Sequence, residues 1–137
     1  MITAVDSNIL LDVLTADRTH GEASRKALRA SRLGGAVVAC EVVWAETVGW
    51  FEGDAGRAAV AQLRIDFEPM RLDAAAAAGR AWRDYRESGG PRQRLIADFL
   101  IGAHAAMQAD RLLTRDRGFY RRYFAGLEVV EPVGTNG

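Results

Sequence analysis

The sequence has almost no cysteine and no excess of charge of either sign. Its single cysteine, Cys40, excludes an internal disulfide bond and a cysteine-rich zinc site, and it is typical of a protein from a reducing compartment. Eighteen basic and eighteen acidic residues give a formal net charge of zero. No overall positive field would therefore attract nucleic acid, so any basic surface must be local.

Long hydrophobic runs are also missing. The longest apolar stretches, Ala36–Cys40 and Ala74–Ala78, are much shorter than the roughly 20 residues that a membrane-spanning helix needs. The amino terminus does not resemble a signal peptide, because Asp6 and Asp12 interrupt its apolar run. We expect a soluble cytoplasmic domain with no membrane partner.

Length and composition are those of one globular domain. The chain has 137 residues, of which 49% are apolar and 26% are charged. It contains no internal repeat, low-complexity tract or domain linker. We assign residues 1–132 to a single domain and residues 133–137 to a short flexible tail.

Short apolar runs alternate with helical patterns along the chain. Strands are predicted at Ile2–Val5, Ala36–Ala39, Arg111–Leu113 and Leu127–Val130, with a weaker one at Pro69–Leu72. Helical spacing predicts helices at about 7–14, 18–33, 42–50, 55–67, 73–87, 95–109 and 118–124. Continuous apolar strands between helices favour an α/β fold, a single-domain α/β/α sandwich around a central, mainly parallel sheet.

Four acidic residues lie where apolar or small residues are expected. Asp6 follows the first strand, Glu46 lies in the apolar segment 42–50, Asp98 lies in the most hydrophobic predicted helix, and Asp116 closely follows the strand at 111–113. A buried carboxylate must be paired, protonated or bound to a metal. Carboxylates that converge at the carboxyl ends of parallel strands repel one another, and such oxygen clusters suit Mg²⁺ or Mn²⁺.

Each of the four acidic residues also has a purely structural interpretation. Asp6 is a plausible helix cap, and Asp116 is an ordinary turn residue in its sequence context. Glu46 lies either at an exposed helix edge or beside an arginine. Asp98 would be satisfied by a salt bridge. These alternatives stay open from the residues alone.

The motifs around these residues resemble those of a known family. Asp6-Ser7-Asn8, Trp44-Ala45-Glu46, the segment 97–105 that opens Ala97-Asp98-Phe99, and the segment 112–120 that contains Thr114-Arg115-Asp116 resemble PIN-domain ribonucleases. The resemblance extends from Ile2 to Val130. The size and order of the motifs are most similar to the VapC toxins of bacterial type II toxin–antitoxin pairs.

The resemblance implies a function and a set of site residues. Asp6, Glu46, Asp98 and Asp116 match the acidic, catalytic metal-binding positions of the family. Three small polar residues would line the site: Ser7, Asn8 and Thr114. The implied activity is endonucleolytic RNA cleavage that depends on Mg²⁺ or Mn²⁺, and the implied partners are an RNA substrate, a second copy in a homodimer and a cognate antitoxin.

A neutral chain needs local positive charge to hold RNA. Arg115 and Arg117 flank Asp116, and Arg92 and Arg94 precede the predicted helix of Asp98, so all four are candidates for phosphate contacts. The alternative for each is an ordinary solvated surface arginine.

Two other interpretations compete with a nuclease. A receiver or aspartyl-phosphate phosphatase also has an aspartate after its first strand. The phosphatase pattern requires a second aspartate where Asn8 stands, and a receiver requires a late-strand lysine, whereas Lys26 is the only lysine. The stronger alternative is a catalytically silent module of this fold that binds RNA or a partner protein.

Overall fold

Strands and helices alternate as the apolar pattern predicts. The structure, a computed structural model, describes residues 1–90 and 96–134. Its elements in chain order are β1 Ile2–Val5, α1 Ser7–Leu14, α2 Gly21–Leu33, β2 Ala36–Ala39, α3 Glu41–Val48, α4 Ala55–Gln62, β3 Asp66–Phe67, α5 Leu72–Glu87, α6 Ile96–Gln108, β4 Arg111–Leu113, α7 Arg117–Tyr123 and β5 Val129–Val130. Within these ranges, no helix is both long enough and apolar enough to cross a membrane.

The strands form one five-stranded sheet in the order β3-β2-β1-β4-β5. Every neighbouring pair is parallel, and Thr3 of the central strand β1 pairs with Val37 on one side and Arg111 on the other. The chain order reverses on the two sides of β1. Ligands of open parallel sheets bind beside such a reversal, at the carboxyl ends of the strands. The sheet flanked by helices confirms the predicted α/β/α class.

The central strands are buried because nearly all their side chains are apolar. Val5, Val37, Val38, Leu112 and Leu113 are all at most 5% exposed. Helices cover both faces of such a sheet, so its strands have no polar, solvent-facing side. The first polar side chains after β1 and β4 therefore appear where the strands end.

One predicted strand is wrong. The segment Pro69–Leu72 is not a strand, and the edge strand β3 lies earlier, at Asp66–Phe67. Helix α4 ends before Phe67 because Arg64 adopts a left-handed backbone with φ of 59°, which stops the helix. Pro69 has no N–H group for the sheet, and the main-chain N–H of Met70 donates to the Glu41 carboxylate instead, at 3.1 Å.

Aromatic rings join the first turns of α6 to α7. Phe99 packs edge-on against Phe119 and Tyr123, with ring centroids 5.1 and 5.8 Å apart, and lies 6.4 Å from the ring of Phe124. Gly102, one turn further along α6, lies against that same Phe124 ring. This packing positions α7, which follows the predicted acidic residue 116.

Two glycines in helices should respond in opposite ways to alanine. A Cβ atom at Gly102 would overlap the Phe124 ring, so Gly102→Ala should lower the free energy of unfolding by about 1–3 kcal/mol. A Cβ atom at Gly79 in α5 meets nothing within 4 Å, so Gly79→Ala should raise it by about 0.5–1 kcal/mol. Urea unfolding measures both changes. If the free energy of unfolding changed in the same direction in both variants, the packing described for Gly102 would be wrong.

Candidate active site

The predicted site lies at the carboxyl ends of β1 and β4. Val5 and Leu113 are paired in the sheet, so the next residue of each strand, Asp6 and Thr114, emerges at the same edge. The main-chain N–H of Asp6 donates to the carbonyl oxygen of Leu113 at 3.0 Å, which extends the pairing by one bond. Strand register alone therefore brings together two residues that are 108 positions apart.

The Asp6 carboxylate is buried and surrounded by hydrogen-bond donors. Its Oδ1 accepts from the main-chain N–H of Ser7 at 2.7 Å, at the start of α1. Its Oδ2 accepts from the Thr114 hydroxyl at 2.8 Å and from the Tyr120 hydroxyl at 3.1 Å. Asp6 thus caps α1, as one sequence interpretation holds, and also forms the centre of a polar cluster.

Burial dominates the electrostatics of this carboxylate. Desolvation raises the pKa of Asp6 above 3.8, although the hydrogen bonds from Thr114, Tyr120 and the Ser7 N–H act in the opposite direction. The negative charge of Asp98 raises the pKa of Asp6 further. Desolvation and the repulsion of Asp98 therefore destabilise the ionised form of Asp6, and a nearby cation would offset both effects.

Glu46 reaches the same cluster from α3. Its Oε1 accepts a hydrogen bond from the Ser7 hydroxyl at 3.0 Å. Partial desolvation raises the pKa of the Glu46 carboxyl, and the charges of Asp6 and Asp98 raise it further, while the Ser7 hydrogen bond lowers it. Although the residue as a whole is solvent-exposed, its carboxylate is close enough to the other two for their charges to interact.

Asp98 and Asp116 approach from α6 and from the start of α7. Asp98 lies in the first turn of α6, and its charge acts on both Asp6 and Glu46. Asp116 is the residue before α7, and its main-chain N–H donates to the Thr114 hydroxyl oxygen at 3.0 Å. Burial, followed by the charges of Asp6, Asp98 and Asp116, raises the pKa of the Tyr120 hydroxyl. All four predicted carboxylates thus act on one region.

Asn8 connects the two strand ends. Its amide nitrogen lies 3.4 Å from both Asp6 Oδ2 and Thr114 Oγ1, and its Oδ1 accepts from the main-chain N–H of Arg115 at 3.3 Å. Ser7, Asn8 and Thr114 therefore each form a hydrogen bond to the Asp6 carboxylate, and Ser7 also donates to that of Glu46.

The predicted arginines differ in their surroundings. The Arg115 guanidinium forms two hydrogen bonds to Asp12, from Nε at 2.7 Å and from its terminal nitrogen at 3.0 Å. Arg117 Nε lies 3.8 Å from the Glu131 carboxylate. The other two candidates, Arg92 and Arg94, lie outside the described residues. The phosphate contacts of all four stay predictions.

The donor chemistry of the cluster suits a hard divalent cation, but the ligands are not drawn together. Among residues 1–90 and 96–134, no three acidic, histidine or cysteine side chains form a ready-made metal site. Carboxylates that raise one another's pKa are nevertheless the oxygen donors that Mg²⁺ and Mn²⁺ prefer. A cation bound here would hold Asp6, Glu46, Asp98 and Asp116 only after it drew some of them inward.

Two residues of the site were not predicted from the sequence. Tyr120 lies within the last family-like motif, yet nothing in its spacing identifies Asp6 as the acceptor of its hydroxyl hydrogen bond. Asp12, in contrast, could be identified from the sequence. It interrupts the apolar side of α1 four residues after Asn8, so the two residues lie on the same helix face.

Removal of the Tyr120 hydroxyl should raise the pKa of Asp6. In Tyr120→Phe the carboxylate loses one of the donors that stabilise its charged form, so its pKa should rise above the wild-type value. The folded state then holds the proton more tightly than the unfolded chain. The free energy of unfolding should therefore fall as pH rises from 3.8 through the folded-state pKa, over a wider range than in wild type.

Carboxyl ¹³C NMR titration and urea unfolding across pH measure these two effects. Tyr123→Phe is the matched control, since the same hydroxyl is removed from the same helix and the Tyr123 ring packs against Phe99. An unchanged or lower pKa of Asp6 in Tyr120→Phe, or an equal shift in Tyr123→Phe, would contradict the assignment.

The fold is shared with solved structures of toxins and toxin–antitoxin complexes. The VapBC2 complex of Rickettsia felis bound to promoter DNA superposes with a TM-score of 0.74 at 17% identity, covering 96% of this chain and 98% of the other. A toxin–antitoxin complex from Klebsiella pneumoniae superposes with a TM-score of 0.68 at 22% identity, again covering 96% of this chain and 98% of the other. VapC20 of Mycobacterium tuberculosis, a toxin that cleaves the sarcin–ricin loop, gives 0.64 at 20% identity over 92% and 98%.

These likenesses concern the fold, and the family is shown by the sequence. Comparison with curated proteins gives no sequence match. The family model of the PIN domain, in contrast, matches residues 3–125, which include the whole carboxylate cluster, strands β2 to β4 and all of β1 except Ile2. The chain belongs to the PIN domain family.

Proposed function

We propose that the protein is a divalent-metal-dependent endoribonuclease that acts as the toxin of a toxin–antitoxin pair. The observation that carries the proposal is the convergence of carboxylates on Asp6, since the charge of Asp98 raises the pKa of both Asp6 and Glu46. This repulsion at one sheet edge opposes the stability of the fold, which favours a functional interpretation of the cluster. Membership of the PIN domain family and the fold shared with VapC20 support the same proposal.

Asp6, Asp98 and Asp116 would hold Mg²⁺ or Mn²⁺, and Glu46 would complete the ligand set or orient the attacking water. The bound cation supplies Lewis-acid chemistry, because it lowers the pKa of a water molecule and stabilises the negative charge that develops on the phosphate. The Ser7 hydroxyl fixes the Glu46 carboxylate, and Thr114, Tyr120 and Asn8 fix that of Asp6. These side chains reduce the reorganisation needed before catalysis.

RNA binding would depend on a few local arginines, since the chain has no net charge. Arg117 follows Asp116 directly and is held only loosely by Glu131, at 3.8 Å. Arg92 and Arg94 precede α6 in the sequence. We propose that these three contact RNA phosphates, and we consider the role of Arg115 separately below.

Partners of two kinds are proposed. Solved relatives in the fold are toxin–antitoxin complexes, which supports a cognate antitoxin as the binding partner of this chain. We propose a second copy of the chain as a further partner, in a homodimer. We further propose that the protein acts in the cytoplasm, where its RNA substrate is found.

Metal binding should depend on Asp98. With increasing Mn²⁺ or Mg²⁺ at pH 7, the Tm of wild type should rise and saturate, since a ligand of the folded state stabilises by about 2.7 kcal/mol at 100 times its Kd. Asp98→Asn should lose this rise. Without metal, its Tm should equal or exceed that of wild type, because the charge that raises the pKa of Asp6 and Glu46 is gone. Asp84→Asn, on the exposed surface of α5, is the control and should respond as wild type.

Cleavage should be lost with metal binding. We expect Asp98→Asn to lower the rate of cleavage of total bacterial RNA by at least about 100-fold while RNA binding persists. If wild type neither responds to either metal nor cleaves RNA, yet binds RNA or an antitoxin, the catalytically silent alternative is correct. Retained cleavage in Asp98→Asn would contradict the proposed role of this residue.

Arg117 should contribute to the salt dependence of RNA binding. When measured in the Asp98→Asn background to prevent cleavage, Arg117→Ala should reduce the slope of log K against log salt by about 0.7, the value for one contact to a single strand. Arg25→Ala is the control, because Arg25 is exposed and bonded to Glu22. An unchanged slope in Arg117→Ala would remove this residue from the RNA footprint.

A further inference from the structure

An ion pair between the buried Asp12 and the partly exposed Arg115 joins α1 to the connection between β4 and α7. The Asp12 residue is 4% exposed, and both of its carboxylate oxygens accept from the Arg115 guanidinium, at 2.7 and 3.0 Å. The Ser24 hydroxyl of α2 donates to Asp12 at 2.7 Å. A carboxylate so deeply buried is satisfied only by such partners, so breaking the pair leaves an uncompensated charge.

The same helix face also holds the main chain of Arg115. Asn8 lies one turn before Asp12 on α1, and its Oδ1 accepts from the Arg115 N–H at 3.3 Å. Helix α1 therefore holds Arg115 at two points, the backbone and the guanidinium.

The residues on either side of Arg115 belong to the candidate active site. Thr114 donates to Asp6 Oδ2 at 2.8 Å, and its hydroxyl oxygen accepts the Asp116 N–H at 3.0 Å. Arg115 therefore lies between two residues of the site, Thr114, which donates to Asp6, and Asp116, whose main chain is bonded to Thr114. The connection is only three residues long, so a shift of its central residue would move both neighbours.

From these contacts we infer that Asp12 is a positioning residue of the proposed ribonuclease site, which acts through Arg115 to hold Thr114 and Asp116 in place. The inference rests on the proposed function. It assigns Arg115 to the framework of the site, whereas the sequence predicts for it a contact to RNA phosphate. The two roles lead to opposite kinetic results.

Asp12→Asn distinguishes the two roles. The variant keeps the size of the side chain and an acceptor for Ser24, but removes the charge that holds Arg115. If Arg115 positions the site, kcat for RNA cleavage should fall by about 10- to 100-fold, as for partners of metal ligands, with KM changed by less than about 3-fold. If Arg115 instead binds phosphate, the freed guanidinium should lower KM and steepen the salt dependence of binding.

Amide hydrogen exchange provides a readout that needs no catalysis. In Asp12→Asn the N–H groups of Arg115 and Asp116 should exchange at least about 10-fold faster, because local opening of their connection becomes easier. The Asp6 N–H, which donates to Leu113 within the sheet, should exchange at the wild-type rate. Equal acceleration of all three would show general destabilisation and overturn the inference.

Variants of Arg115 keep the inference testable if Asp12→Asn does not fold. Arg115→Lys keeps a cation beside the buried Asp12 carboxylate, and Arg115→Ala changes a side chain that is 34% exposed. Both should lower kcat, Lys less than Ala, because lysine keeps the charge but cannot form the two-pronged contact. The double variant Asp12→Asn/Arg115→Ala should have a kcat no lower than that of Arg115→Ala alone, because both substitutions break the same contact. Arg25→Ala, which breaks an exposed two-pronged pair with Glu22, should change nothing.

The outcomes separate this inference from the proposed function. If wild type cleaves no RNA, the proposed function fails, and the exchange rates of the Arg115 and Asp116 amides still decide whether Asp12 positions the connection. If wild type cleaves RNA but Asp12→Asn retains kcat and lowers KM, the positioning role is wrong and Arg115 is a phosphate contact.

Discussion

The burial of one carboxylate, that of Asp6, organises the rest of the site. Asp6 is 6% exposed at the end of the central strand, where an ionised group is costly unless donors surround it. The structure supplies these donors from three places, namely the Ser7 N–H of α1, Thr114 after β4 and Tyr120 of α7. Strand pairing, helix capping and the packing of α7 are thereby joined through a single side chain. Because these donors do not cancel the desolvation, the pKa of Asp6 stays raised.

Helix α1 connects this carboxylate to a second buried one. Asn8 faces Asp6 and Thr114, and Asp12 one turn later binds Arg115. The two buried aspartates differ in what compensates their charge. Asp12 has a cation in direct contact, whereas Asp6 has neutral donors and the repulsion of Asp98. Within residues 1–90 and 96–134, Asp6 has no such cationic partner, and burial without one is typical of a functional rather than a structural carboxylate. This contrast with Asp12 supports the role proposed for Asp6, the residue that caps the same short helix.

Particular residues show how far sequence reasoning reaches. The alternation of apolar strands and helices predicts where Asp6 and Thr114 lie, because the carboxyl ends of parallel strands meet at one edge of the sheet and each of these residues directly follows an apolar strand. The contacts of Tyr120 and Arg115 could not be predicted, since each joins residues more than 100 positions apart and depends on how α7 packs. The edge strand β3 was misplaced because two residues carry too little periodicity, and the left-handed turn at Arg64 has no glycine or asparagine to indicate it.

Arginine content is a poor guide to the positive charge that RNA would meet. Seventeen arginines stand in the chain, yet Arg25, Arg71 and Arg83 are each bonded to an acidic neighbour, and Arg115 is neutralised by a buried aspartate. The cluster of arginines around Asp116 therefore provides less positive potential than its sequence indicates. If the protein binds RNA as proposed, a phosphate contact close to the carboxylates would come from Arg117 or from another segment.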